Sequence, residues 1–248
     1  QLKETHQKAG EIILKYFNQA KIEYKKKNDL SPVTIADKAT EQFIRTSLQQ
    51  YYPDYSIIGE EFPDIKKESI YSWVIDPIDG TKSFIAGVPV FGSLIGLAQQ
   101  GQPILGSQYH PAIKKHYIGG IHHSTTLNGK NIQVSKCTHL KDAVFCTAID
   151  SYLNADERDC LLKIQKKAFF SRLNLDCFHY GLLAEGRVDL VIENDLKPFD
   201  YMASAAIVQG AGGFITDWSG NPLSLSSKGC IVAAASRQLL DQALEMIA

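Results

Sequence analysis

Apolar residues recur at helical spacing over residues 5–20, where Ala9, Ile12, Ile13, Tyr16 and Phe17 share one face. A second stretch over 34–51 repeats the pattern with Ile35, Ala39, Phe43, Ile44, Leu48 and Tyr51. Between them, Asn28-Asp29-Leu30-Ser31-Pro32 predicts a polar loop. The pattern then shortens to strand-like apolar runs. Residues 56–58 end at Gly59-Glu60-Glu61, and residues 72–75 end at Asp76, where Pro77 is expected to stop the ladder. Thr81 opens a helix over Lys82, Ser83, Phe84 and Ile85. Residues 90–98 and 103–109 predict a hairpin across Gln100-Gly101-Gln102, and 115–119 a further strand. Asn128-Gly129 is a turn signal before the apolar residues 132–134. This half predicts two helices packed on a largely antiparallel sheet.

Beyond residue 140 strands and helices alternate. Strands are expected at 143–148, 188–192, 214–216 and 231–234, and helices at 158–169, 177–184, 201–209 and 239–247. Such alternation predicts layered α/β packing. We divide the chain into an α+β part, 1–140, and an α/β part, 141–248, that completes the site. No Pro/Gly-rich linker separates them, so a shared interface is expected; no internal repeat or low-complexity tract is present.

The 248 residues suffice for a substantial core, and 44% hydrophobic with 21% charged residues fits a globular protein. A net charge of −1 offers no electrostatic basis for nucleic acid or an anionic membrane. Lys25-Lys26-Lys27 is the one basic run and predicts a solvated loop. Five scattered cysteines lack ligand spacing, so neither a disulfide framework nor a zinc site is indicated, and a reducing, cytoplasmic compartment is expected. No apolar stretch is long enough to span a membrane, and no signal-peptide core is evident.

The chemistry concentrates in Asp76-Pro77-Ile78-Asp79-Gly80-Thr81. Two carboxylates at a strand end repel each other, a cost that a plain turn does not require. Beside the amides of a helix start they can hold hard cations and an anion together. Glu60 and Glu61 end a neighbouring apolar run, and Asp200 precedes a helix, where an N-cap is its ordinary role. Asp37 in Thr34-Ile35-Ala36-Asp37 has capping-box spacing. His110, His116, His139 and His179 stand isolated, and His122-His123 predicts surface. Gly210-Ala211-Gly212-Gly213 follows a helix and predicts a C-cap with a turn. No Gly-x-Ser-x-Gly elbow is present, which disfavours a serine hydrolase.

Gly59-Glu60-Glu61, the Asp76–Thr81 motif, and Asp200 with the glycine-rich turn after its helix together resemble the inositol-monophosphatase superfamily. The likeness runs through nearly the whole chain. Four stretches are most similar to its histidinol-phosphate phosphatase branch: residues 29–39, 79–85, 126–130 and 195–200. Where general inositol phosphatases tend to show Thr-Asn and Trp, this chain has Lys82-Ser83 and Phe199. The resemblance implies an αβαβα sandwich of the sugar-phosphatase type and a Mg²⁺-dependent, lithium-sensitive phosphomonoesterase. It also implies a homodimer and, in the histidinol branch, a place in histidine biosynthesis.

Carried onto this chain, the family pattern makes Glu60, Asp76, the Ile78 carbonyl, Asp79 and Asp200 ligands of two or three Mg²⁺ ions, with Asp76 bridging. Thr81, oriented by Asp37, would position and deprotonate the attacking water, with Glu60 also in the catalytic set. Amides at Gly80 and Thr81 would bind phosphate. Asp176 and Glu193 are the carboxylates expected to meet the ammonium and imidazole of L-histidinol phosphate. Asn174-Leu175 stand where the family has glycines, which predicts a narrower or redirected pocket wall. Inositol phosphate or another small polyol or nucleotide phosphate is the alternative substrate class, and a binding protein without turnover the alternative from another class. A haloacid-dehalogenase mechanism is disfavoured, because its two acids are two residues apart and Asp76 and Asp79 are three apart.

Overall fold

The computed structural model describes residues 1–19, 22–26, 32–148 and 154–247. The expected loop residues 28–31, together with Lys27 and the end of the first predicted helix, lie outside the described residues. Helix α1 spans Leu2–Phe17, followed by a small antiparallel pair, β1 (Tyr24–Lys26) and β2 (Pro32–Thr34), and by α2 (Ile35–Tyr51). Then come β3 (Ser56–Gly59), β4 (Tyr71–Asp79), α3 (Thr81–Ala86), β5 (Gly92–Gln99), β6 (Gln102–His110), β7 (Lys115–Gly120), β8 (His123–Leu127) and β9 (Lys130–Asn131). The second half holds β10 (Val144–Thr147), α4 (Ala155–Lys167), β11 (Phe170–Leu173), α5 (Phe178–Ala184), β12 (Leu190–Glu193), α6 (Pro198–Gly210), β13 (Phe214–Asp217), β14 (Ile231–Ala234) and α7 (Arg237–Ile247).

Strands β3 to β9 form one seven-stranded sheet in chain order, antiparallel except for the β3–β4 pair. A second sheet has the order β11-β10-β12-β14-β13, parallel at β11-β10-β12 and antiparallel beyond. Alternation along the strands sorts residues into layers. Trp73 and Ile75 of β4 pack with Ala9, Ile44 and Leu48 of α1 and α2, while Val74 joins Tyr180, Tyr201 and Met202 of α5 and α6. Val191 faces the same central layer, and Leu190 and Ile192 face α4 and α7 through Leu161, Leu239 and Leu240. The result is five layers, αβαβα, with α5 and α6 between the sheets. Among the described residues no helix is long and apolar enough to cross a membrane.

Three local features differ from the pattern reading. The buried face of α2 is Ala36, Asp37, Thr40, Glu41, Ile44, Arg45 and Leu48, whereas Ile35 is 65% and Tyr51 46% exposed. Hydrophobic spacing misplaces this face because a paired charge, Arg45 Nε to Glu41 Oε1 at 2.7 Å, is buried in it. Residues 132–134 form no strand; the hairpin after Leu127 closes instead through β9. Strand β11 falls outside the expected elements, since Phe-Ser-Arg-Leu on a sheet edge carries no alternation.

Candidate active site

The acidic motif does not end its strand at Pro77. Strand β4 continues to Asp79 through a β-bulge: Asp76 pairs with Leu94 and Asp79 with Gly92, three residues opposing two. In a regular strand, residues three apart point to opposite faces. The extra residue returns Asp79 to the side of Asp76 and absorbs Pro77, which has no N–H for the ladder. Asp200 joins them from α6. It is not the N-cap but the third helical residue, accepting the N–H of Lys197 at 2.6 Å. The helix comes low over the sheet because β5 and β6 present glycines to it: a Cβ on Gly106 would lie 2.0 Å from the Ala203 carbonyl oxygen.

Carboxylate oxygens of Asp76, Asp79 and Asp200 thus lie within 4.8 Å of one another. Backbone N–H groups donate to all three, from Ile78 to Asp76 at 3.0 Å, from Cys177 to Asp79 at 2.6 Å and from Lys197 to Asp200, and the Cys177 thiol adds a side-chain hydrogen bond to Asp79. Burial, then the charge of Glu60 and of the other acids, raises Asp76 well above the usual carboxylate range. Burial and the Asp176 charge push Asp79 up to about 7, and burial with the Asp79 charge raises Asp200 strongly. An all-oxygen cluster of mutually repelling acids fits hard divalent cations.

Glu60 is brought alongside by the parallel β3–β4 pairing, in which its N–H bonds the Ile75 carbonyl at 3.3 Å. The segment after β3 is pinned from α2. Glu41 accepts the Glu61 N–H at 2.7 Å, and Arg45 donates to the carbonyls of Phe62 and Pro63. A Cβ on Gly59 would fall 2.2 Å from Glu41 Oε1 and 2.6 Å from Arg45 Nη2. Gly59→Ala is therefore expected to cost about 1–3 kcal/mol by overpacking a buried ion pair, and to lower activity by shifting Glu60. Urea unfolding with a parallel activity assay checks both effects.

Asp37 and Thr81 meet. Asp37 Oδ2 accepts the Thr34 N–H at 2.8 Å and the Thr34 hydroxyl at 2.5 Å, completing the capping box of α2. Its Oδ1 faces the Thr81 hydroxyl at 3.4 Å, which also lies 3.1 Å from the Ile78 carbonyl. One carboxylate thus caps a helix with one oxygen and reaches the site with the other. Burial pushes it up to about 6. Gly80 precedes α3 with a left-handed φ of 81°, so the first-turn amides of this helix leave the motif strand directly.

Beside the acids lies a cavity of about 470 Å³ lined by Asp79, Asp176, Glu193 and Asp200, among others. Glu193 is held at Oε2 by His179 Nε2 at 2.9 Å and the Tyr180 hydroxyl at 2.8 Å. Asp176 is raised by burial, with a Ser83 hydrogen bond opposing. Its buried Oδ2 has no hydrogen-bond partner among the described residues. Asn174 and Asp176 adopt φ of 56° and 48°, the left-handed conformation that Asn and Asp tolerate best after glycine.

His179, His110 and His116 stand alone in the sequence yet are hydrogen-bonded in the interior, to Glu193, Gln108 and Ser107, none of which marks a ligand or catalytic spacing. Opposite charges four apart on α2, Glu41 and Arg45, are a usable sequence signal for the pin on the Glu60 segment.

The chain matches the model of the Inositol monophosphatase family over residues 1–247. It is 40% identical over 248 residues to the chloroplastic bifunctional phosphatase IMPL2 of Arabidopsis thaliana, covering 96% of this chain and 71% of that protein. With a histidinol-phosphatase of Chlorobaculum parvum it shares 32% identity over 240 residues, covering 96% and 93%. An inositol monophosphatase structure from Zymomonas mobilis aligns with a TM-score of 0.89 at 36% identity, covering 99% of this chain and 95% of that one. These likenesses, with the layered fold and acidic site, define a phosphoric monoester hydrolase. The chain belongs to the inositol monophosphatase family.

Proposed function

We propose that this phosphatase hydrolyses L-histidinol phosphate with Mg²⁺ as its cation. The carrying observation is the cavity beside the acid cluster, whose lining adds two carboxylates, Asp176 and a Glu193 fixed by two donors. Carboxylates that line a cavity favour a ligand with a cationic group, which they meet through charge-assisted hydrogen bonds. The ammonium and imidazole of histidinol supply such groups at the end remote from the phosphate. Similarity to a histidinol-phosphatase supports the same reading.

Asp76, Asp79 and Asp200, with Glu60 and the Ile78 carbonyl, would hold Mg²⁺. When bound, the cations neutralise phosphate charge and acidify water. The Thr81 hydroxyl accepts a proton from the attacking water as its own passes to Asp37 Oδ1. A carboxylate at about 6 is matched to that task near neutral pH, because it is both ionised and basic enough. First-turn amides at Gly80 and Thr81 receive phosphate oxygens.

Phosphate release from histidinol phosphate and from inositol 1-phosphate, each with Mg²⁺, with EDTA and with added Li⁺, tests this. A Mg²⁺-dependent preference for histidinol phosphate is expected. A preference for inositol 1-phosphate would keep the metal site and reject the substrate.

A further inference from the structure

A largely buried polar chain runs from the seven-stranded sheet to Asp79. His110 Nδ1 lies 3.0 Å from the Val90 carbonyl oxygen and 2.9 Å from that of Phe91. Carbonyls only accept, so Nδ1 carries the proton. In the neutral ring Nε2 is then an acceptor, and Gln108 Nε2, 2.7 Å away, is its donor. The second Gln108 amide proton goes to the Cys177 carbonyl at 2.9 Å, and the Ser204 hydroxyl donates to Gln108 Oε1 at 3.4 Å. Reversing the amide would set Oε1 against a carbonyl and an imidazole lone pair, so one orientation satisfies every group. Burial, which lowers His110 to about 4, keeps the ring neutral.

The chain ends functionally at Cys177, whose own N–H donates to Asp79 Oδ2 at 2.6 Å. Cys177 follows two non-glycine residues in left-handed conformation, a backbone path that needs support from its surroundings. The approach is tight: a Cβ on Gly92 would lie 2.7 Å from Cys177 Sγ and 2.8 Å from His110 Cε1.

We propose that Gln108 is a positioning residue for the cation site: by holding the Cys177 carbonyl it restrains that residue, whose N–H, one peptide unit earlier, fixes the Asp79 carboxylate. The inference rests on Asp79 as a cation ligand, and metal binding without substrate tests it. Gln108→Met keeps length and volume but removes both donors. Titration of the metal-free protein with Mn²⁺, read by electron paramagnetic resonance, should give a dissociation constant about tenfold weaker than wild type, the usual scale for losing an outer partner of a ligand. At saturating Mg²⁺ the kcat should recover to within about threefold while half-saturation stays raised, a split that general loss of fold would not produce. Ser204→Ala, which loosens Gln108 through one bond, should shift affinity in the same direction by about twofold. In wild type, ¹⁵N spectra should show His110 protonated at Nδ1 alone. Unchanged Mn²⁺ affinity in folded Gln108→Met overturns the proposal. If that variant does not fold, unchanged affinity in Ser204→Ala or a His110 proton at Nε2 does so. A wild type that binds no Mn²⁺ instead refutes the underlying cation site.

Discussion

Asp79→Asn is expected to lower turnover of the phosphate ester by about 10²–10³-fold, the scale of losing one preorganised electrostatic contact, while raising the stability of the metal-free protein. The second half follows from linkage. Burial and the Asp176 charge hold folded Asp79 at about 7, against about 4 in an unfolded chain. Between those values the folded state binds the extra proton, so stability falls as pH rises from about 4 to about 7 and stays reduced above. Asparagine carries no charge and keeps the shape, so the penalty disappears. In EDTA at about pH 8 the variant should melt higher than wild type, by about 2–4 °C for each kcal/mol of repulsion relieved. Near pH 4 the two should coincide. Added Mg²⁺ should reverse the order, because a ligand at about 100 times its Kd stabilises wild type by about 2.7 kcal/mol. Calorimetry with and without Mg²⁺ reads this crossing; a variant that melts lower under all conditions would show that Asp79 serves the fold.

The motif strand was legible because two acids closing an apolar run repel each other at a cost that no ordinary turn incurs. Its geometry was not legible. The bulge that puts Asp76 and Asp79 on one side depends on the register against β5, and Pro77 in isolation argues for a strand end. Asp37 combines capping-box spacing with a place in the family pattern; the structure assigns its two oxygens to Thr34 and Thr81 separately. The face of α2 escapes hydrophobic spacing because buried Glu41 and Arg45 satisfy each other and a loop, which no residue-by-residue hydrophobicity can register. The backbone at Asn174 and Asp176 was not legible, because a left-handed φ is open to Asn and Asp at modest cost and residue type alone does not mark it. Contacts made through backbone groups, such as Cys177 to Asp79, leave no mark on residue type at all.

Asp176→Asn and Glu193→Gln should each raise KM for histidinol phosphate by about 10–100-fold, equivalent to about 1.4–2.7 kcal/mol, and change kcat and inositol 1-phosphate turnover far less. Both carboxylates are preorganised, which makes their charge effective. Glu193 is gripped at Oε2 by His179 and Tyr180, and Asp176 sits on a fixed left-handed backbone against Gly80. A cation arriving there meets acceptors that need no further ordering. The substitutions isolate charge from shape. Asparagine tolerates the left-handed φ at 176 as aspartate does, and glutamine at 193 can still accept the Tyr180 and His179 protons through its carbonyl. Loss of fold is therefore not the expected cause. Steady-state kinetics on both substrates discriminates the outcomes. Equal losses on the two esters would mean that the carboxylates organise the site generally, and no loss on either would mean that the cationic end of the substrate lies elsewhere in the cavity. A loss confined to histidinol phosphate assigns recognition to these two charges, because only that substrate brings a cation to pair with them.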